Sequence, residues 1–120
     1  MPRMTGSKFM ADMLQAYGVT HVFVAPAILR QALMEMDLIG IKRVVTHGEK
    51  AAAYMADGYA RASNRPGVCM AQSVGAANLA AGLQDAFLGL SPVVALTGYK
   101  RHDEQHRNAY QEIEHSKPFS

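Results

Sequence analysis

A single cysteine, Cys69, is all the thiol the chain carries. That excludes an intrachain disulfide framework and a zinc site built from several thiolates. No apolar run approaches the roughly 20 residues that a membrane helix needs. The first residues, Met1-Pro2-Arg3-Met4-Thr5-Gly6, also lack the apolar centre of a secretory signal. Net charge is small: 12 Lys and Arg against 10 Asp and Glu leave a formal +2, without the clustered basic face that nucleic acid requires. What the chain does have is apolar mass, with 49% of its residues hydrophobic, too many for a disordered segment. Its 120 residues make room for one domain. We expect a single unit over residues 1–120, cytoplasmic, with no membrane or nucleic-acid partner.

Hydrophobic spacing alternates between helical and strand-like periods. Thr5 is placed to cap a first helix on which Phe9, Met10, Met13, Leu14 and Tyr17 recur at helical offsets, with Gly18 as its left-handed stop. His21-Val22-Phe23-Val24 reads as a strand closed by Pro26. A second helix carries Leu29, Leu33, Met34 and Met36 and ends near Gly40; Arg43-Val44-Val45-Thr46 follows as a strand. Residues 49–63 read as an alanine-rich helix broken at Asn64-Arg65-Pro66-Gly67. Then come a strand at 68–71, a helix at 76–90 and a strand at 93–96. Four strands alternating with four helices predict an α/β fold, a parallel sheet with helices on both faces. After Gly98 the pattern turns polar, and the unanchored end reads as an interrupted domain.

In an open parallel sheet, ligands bind beyond the carboxyl ends of the strands. Three segments are expected there: Val24-Ala25-Pro26-Ala27, His47-Gly48-Glu49, and Ser73-Val74-Gly75-Ala76-Ala77-Asn78. Glu49 is the candidate acid. In the first turn of a helix it is stabilised by the dipole, by about 0.3–1 kcal/mol. Between an apolar strand and downstream alanines it would also be partly desolvated, and so suited to proton transfer. Gly75 fits either an anion-binding turn or close helix–strand packing. The eight methionines and Cys69 read as packing residues. His102 and His106, four apart, offer the weaker alternative of a zinc hydrolase, although Asp103 stands where the His-Glu-x-x-His pattern wants Glu.

The stretch from Thr46 to Arg61 resembles the His-Glu-x-x-Ala-x-x-x-Ala-x-Gly-Tyr-Ala-Arg signature of thiamine-diphosphate-dependent enzymes, ending in Gly58-Tyr59-Ala60-Arg61. Gly75-Ala76-Ala77-Asn78 is similar to the family's Gly-x-x-Asn, and Tyr110-Gln111-Glu112 to its Phe-Gln-Glu. The resemblance spans nearly the whole chain. It points to the N-terminal, pyrimidine-binding domain, and among the family most to acetolactate synthase large subunits. It implies that Glu49 is the catalytic residue, bonding N1′ of the aminopyrimidine and favouring the imino form that takes the proton from the thiazolium carbon. It implies Pro26, Val74 and Asn78 as further cofactor-binding residues, and Ala27 and Gln111 in the substrate pocket.

The resemblance further implies thiamine diphosphate as cofactor, with Mg²⁺ and the diphosphate held by a pyrophosphate-binding domain that this chain lacks. FAD is a further cofactor of the complete enzyme in some relatives. A homodimer or higher homo-oligomer follows, with 2-keto acids as substrates and no activity of this chain alone. Departures are visible too. The family's Gly-x-Pro-Gly turn reads Val24-Ala25-Pro26-Ala27, the histidine before the glutamate is Gly48, and Gly-Pro-Gly reads Ser73-Val74-Gly75. These favour a second reading, a non-catalytic remnant or dimerisation module of the same fold.

Overall fold

Thr5 begins the first helix in the manner its side chain allows, its Oγ accepting the Lys8 backbone N–H at 3.2 Å. The helix it opens, α1 (Gly6–Ala16), stops at Gly18, whose φ of +76° suits glycine. In the computed structural model, which describes residues 3–25, 29–114 and 117–119, the elements then alternate. They are β1 (His21–Val24), α2 (Arg30–Leu38), β2 (Lys42–Val45), α3 (Glu49–Ser63), β3 (Gly67–Gln72), α4 (Val74–Leu88) and β4 (Val93–Gly98). A last 3-10 turn covers Lys117–Phe119. Pro26 and Ala27 lie outside the described residues.

All strand pairs are parallel, in the order β2-β1-β3-β4. Alternate side chains of the sheet serve two cores, as the two-residue period requires. Val22, Val24, Val68 and Met70 pack with Ala11, Leu14, Leu33 and Met36 of α1 and α2. Phe23, Cys69 and Ala71 pack with Ala52, Ala53, Ala56 and Leu79 of α3 and α4. This is the α/β architecture read from the sequence, one helix pair on each face. β3 is buried from Gly67 to Ala71, and burial pushes the Cys69 thiol up to about 12.

Three details differ from the expectation. On α1 the helical spacing marks two faces, and only one is covered: Leu14 is buried, whereas Phe9, Met13 and Tyr17 are exposed. The methionines divide likewise, with Met36 and Met70 fully buried and Met34 exposed. The fourth helix begins at Val74, two residues before the expected position, because Ser73 already turns the chain at φ 51°, ψ −120°.

From β1 the chain moves outward to β2, then returns across β1 to β3 and onward to β4. The directions part between β1 and β3. That is the switch point at which open sheets leave a crevice beyond the strand ends.

Candidate functional site

Glu49 enters this crevice from a turn fastened to the neighbouring strand. Thr46 is buried; its N–H donates to the Val24 carbonyl at 2.8 Å and its hydroxyl to the Gly48 carbonyl at 2.8 Å. Gly48 is extended at the amino end of α3, and its carbonyl accepts the Ala52 N–H at 3.2 Å. Glu49 is the first helical residue, half-buried, with its carboxylate in the first turn.

That carboxylate crosses onto the start of α4. A Cβ on Gly75 would stand 2.5 Å from Glu49 Oε1 and 3.0 Å from its Cδ. Asn78 donates from Nδ2 to Glu49 Oε2 at 3.3 Å. Three positions apart, Gly75 and Asn78 share one face of the helix. Since Gly75 is the second residue of α4, the acid is set against the positive ends of two helices. The glycine therefore makes room for the Glu49 side chain, and not for the strand behind it.

Small residues let the helices come this close. A Cβ on Gly82 would lie 2.8 Å from both Ala53 Cβ and the Lys50 carbonyl oxygen. Ala52, Ala53 and Ala56 are fully buried beneath. At the far end, Arg61 Nε donates to Asp57 Oδ1 at 2.8 Å, and a second guanidinium nitrogen reaches the Asp85 carbonyl at the close of α4. The Arg61 guanidinium holds the Asp57 carboxyl below its ordinary value. Tyr59 stacks at a tilt on Phe23 and His21 and meets the Thr20 hydroxyl at 3.1 Å. Tyr59 and Arg61 thus hold α3 against β1 and α4, with Asp57 fixing the Arg61 guanidinium, and Glu49 is left to face the crevice.

Ser73 introduces α4 from a backbone conformation in the positive-φ region that favours glycine. It is 1% exposed, and its hydroxyl finds no hydrogen-bond partner among the described residues. Its main chain is secured, the N–H donating to the Gly98 carbonyl at 3.0 Å and the carbonyl accepting from Ala76 at 2.9 Å. Sequence reasoning names this segment without finding the strain, because φ and ψ are properties of the folded turn.

Of the residues selected from sequence, Glu49, Gly75 and Asn78 come together, while Val74 precedes Gly75 at the start of α4 with its side chain exposed. Gln111 is exposed in the carboxyl-terminal segment, where its side-chain amide donates to the Tyr110 hydroxyl at 3.4 Å. In that segment Glu112 accepts backbone N–H groups from Ala109 and His106, bonds that hold its carboxyl below the ordinary value. His102 and His106 fall in a run of turns, not on a helix, so the helical spacing behind a zinc hydrolase does not exist. Among the described residues no group of three or more His, Cys, Asp or Glu side chains is placed to hold a metal ion. An apolar groove of about 400 Å³ between α4 and β4, lined in part by Leu83, Phe87, Val93 and Phe119, shares no residue with the Glu49 cluster. Among the described residues no helix is long and apolar enough to cross a membrane.

Comparison with known proteins places these features in a family. Residues 4–118 match the family model described as thiamine pyrophosphate enzyme, N-terminal TPP binding domain. The chain is 37% identical over 118 residues to acetolactate synthase of Arthrospira platensis, covering 93% of this chain and 20% of that protein. It is 40% identical over 116 residues to the probable acetolactate synthase large subunit of Methanocaldococcus jannaschii, covering 92% and 19%. The large subunit of acetolactate synthase isozyme 2 from Escherichia coli K12 is 39% identical over 116 residues, covering 92% and 21%. The chain spans about a fifth of the length of these relatives.

Proposed function

The chain belongs to the thiamine pyrophosphate enzyme family as an N-terminal TPP-binding domain, and from that premise we propose that it activates the cofactor's pyrimidine half in an acetolactate-synthase-like enzyme. The observation that carries this reading is the Glu49 carboxylate, set over Gly75 and bonded by Asn78 at the switch point of the sheet. A carboxyl group in that place can give a proton to a heterocycle's ring nitrogen and take it back, donating when protonated and accepting when ionised.

When bound, thiamine diphosphate supplies the carbanion chemistry on a 2-keto acid, decarboxylating it and joining the product to a second carbonyl compound. The work of this chain is narrower. Glu49 holds a proton at the ring nitrogen, and Thr46 fixes the turn from which it projects. Asn78 bonds it; Val74 and Pro26 are assigned to the cofactor, and Ala27 to the substrate pocket of the complete enzyme. Gln111 is assigned to the substrate pocket of the complete enzyme. Mg²⁺, the diphosphate and any flavin fall to the remaining four-fifths of the enzyme's length, so this chain alone is expected to be inactive. We place the enzyme in the cytoplasm as a homodimer or higher homo-oligomer, with transferase or lyase activity.

Ser73 supports a second reading. It stands where the family's Gly-Pro-Gly begins with glycine, and at φ 51°, ψ −120° it carries a Cβ that glycine would not. The exposed Phe87, Leu88 and Leu90 would then belong to a dimerisation module. One experiment separates the two. Residues 4–118 replace the matching segment of the Arthrospira platensis acetolactate synthase, and pyruvate decarboxylation is followed with added thiamine diphosphate. Turnover supports cofactor activation. A folded dimer that binds no cofactor supports the module.

A further inference from the structure

We propose that Asn78 is a positioning residue for the catalytic acid: it sets which carboxylate oxygen of Glu49 is free to face the pyrimidine, and acts on the cofactor only through that acid. This rests on the cofactor reading above and gives Asn78 a role beyond lining the pocket.

The two oxygens of Glu49 are not equivalent. Oε2 accepts from the Asn78 amide at 3.3 Å, and Oε1 rests over the bare Cα of Gly75. A carboxylate only accepts, so the Asn78 amide must present its NH₂ and turn its own oxygen away. Its carbonyl in the same place would repel the acid. Glu49 is joined to its backbone by methylenes whose torsions each offer more than one staggered position. The restraint comes from α4, 29 residues along the chain, through one donor and one missing methyl group.

Gly75 and Asn78 have separable effects. The glycine permits the close approach, and the amide selects one orientation within it. A ring nitrogen meets its proton partner in one direction, so a carboxyl group free to rotate forfeits part of the geometry that makes proton transfer efficient.

The test begins with the 120-residue chain, and Asn78→Asp is the informative variant. Its side chain has the same shape, so packing is kept while the donor is lost and a like charge is added. The first readout needs no ligand: NMR side-chain couplings of Glu49, which report whether one rotamer dominates. The second is binding of thiamine diphosphate by calorimetry, measured in the chimera with the Arthrospira platensis enzyme, which supplies the half that holds the diphosphate and Mg²⁺. One dominant Glu49 rotamer is expected in the wild type, with averaged couplings in Asn78→Asp and Asn78→Ala. Affinity should fall by about tenfold or more in both variants, as loss of a hydrogen bond to a charged group implies. Asn78→Ser, which keeps a shorter donor, should recover part of both. Wild-type couplings retained in Asn78→Asp would overturn the assignment, as would an averaged Glu49 in the wild type. Absence of cofactor binding by the wild type would count against the functional reading, while the couplings would still decide the role of Asn78.

Discussion

Glu49 Oε1 occupies space that a side chain at position 75 would need: a methyl group on Gly75 would come within 2.5 Å of it. The two residues lie on different helices, at the start of α3 and the start of α4. Their contact joins an acid to the one residue type that lets it lie flat against a helix. Around it, Thr46 fixes the turn, Asn78 bonds the second oxygen, and Arg61, held by Asp57 on its own helix, reaches the Asp85 carbonyl of α4 at the other end.

Gly75→Ala should therefore separate function from stability. The clash falls on the flexible end of a glutamate, which can swing away, while alanine gains roughly 0.5–1 kcal/mol of helix propensity over glycine. Chemical denaturation should show a protein no less stable than the wild type. Calorimetry should show thiamine diphosphate binding weakened by about tenfold or more, since the acid no longer lies in place. A variant that binds normally would show that the acid does not need the space a glycine leaves at position 75.

Ser73→Gly should stabilise the fold. Glycine adopts φ 51°, ψ −120° without the strain of a Cβ, and the substitution deletes a buried hydroxyl that has no partner among the described residues. Strain of this kind costs about 1–3 kcal/mol, partly offset by the greater freedom of glycine in the unfolded chain. A gain of about 1 kcal/mol in urea unfolding is expected, with a rise of a few degrees in Tm. A loss of stability would mean that the serine hydroxyl holds the turn together in a way that outweighs the strain.

Much of this is legible in the sequence, and the limits have physical causes. The bounds of α3 follow from its alanines and from Asn64, which closes it in the left-handed region. The four strands follow from short apolar runs between turn residues. Glu49 stands out as an acid at a helix start after a strand, and its resemblance to a family signature names the ligand. What is not legible depends on long-range placement. Periodicity on α1 does not tell which of two apolar faces meets the sheet, and it makes Phe9 and Met13 look like core. Gly75 and Asn78 stand in the right segment, but their contact with Glu49 exists only after α4 folds against α3. The backbone of Ser73 is likewise set by the sheet, whose Gly98 carbonyl holds its N–H.

Asp57→Asn should flatten the acid limb of the stability curve. Arg61 depresses the folded-state value of Asp57 below the ordinary 3.8. Stabilisation from the pair is thus complete above the unfolded value and disappears as pH falls through the depressed one. At pH 7 the variant should be less stable by about 1–2 kcal/mol, the Asp57 side chain being largely buried. The two proteins should converge only as pH falls through the depressed folded-state value, once the carboxyl is protonated in both states. Urea melts between about pH 2 and 7 check this; a constant gap across that range would place the contribution of Asp57 elsewhere.

The central claim, that Glu49 delivers a proton to the cofactor's ring, is tested most directly by hydrogen–deuterium exchange at the thiazolium carbon of bound thiamine diphosphate. The chimera with the Arthrospira platensis enzyme is compared with its Glu49→Gln variant. Glutamine keeps the size and the contact with Gly75 but cannot take up or release the proton. Exchange slowed by about 100-fold or more is predicted, with cofactor still bound. Exchange at the wild-type rate in the glutamine variant would contradict the claim.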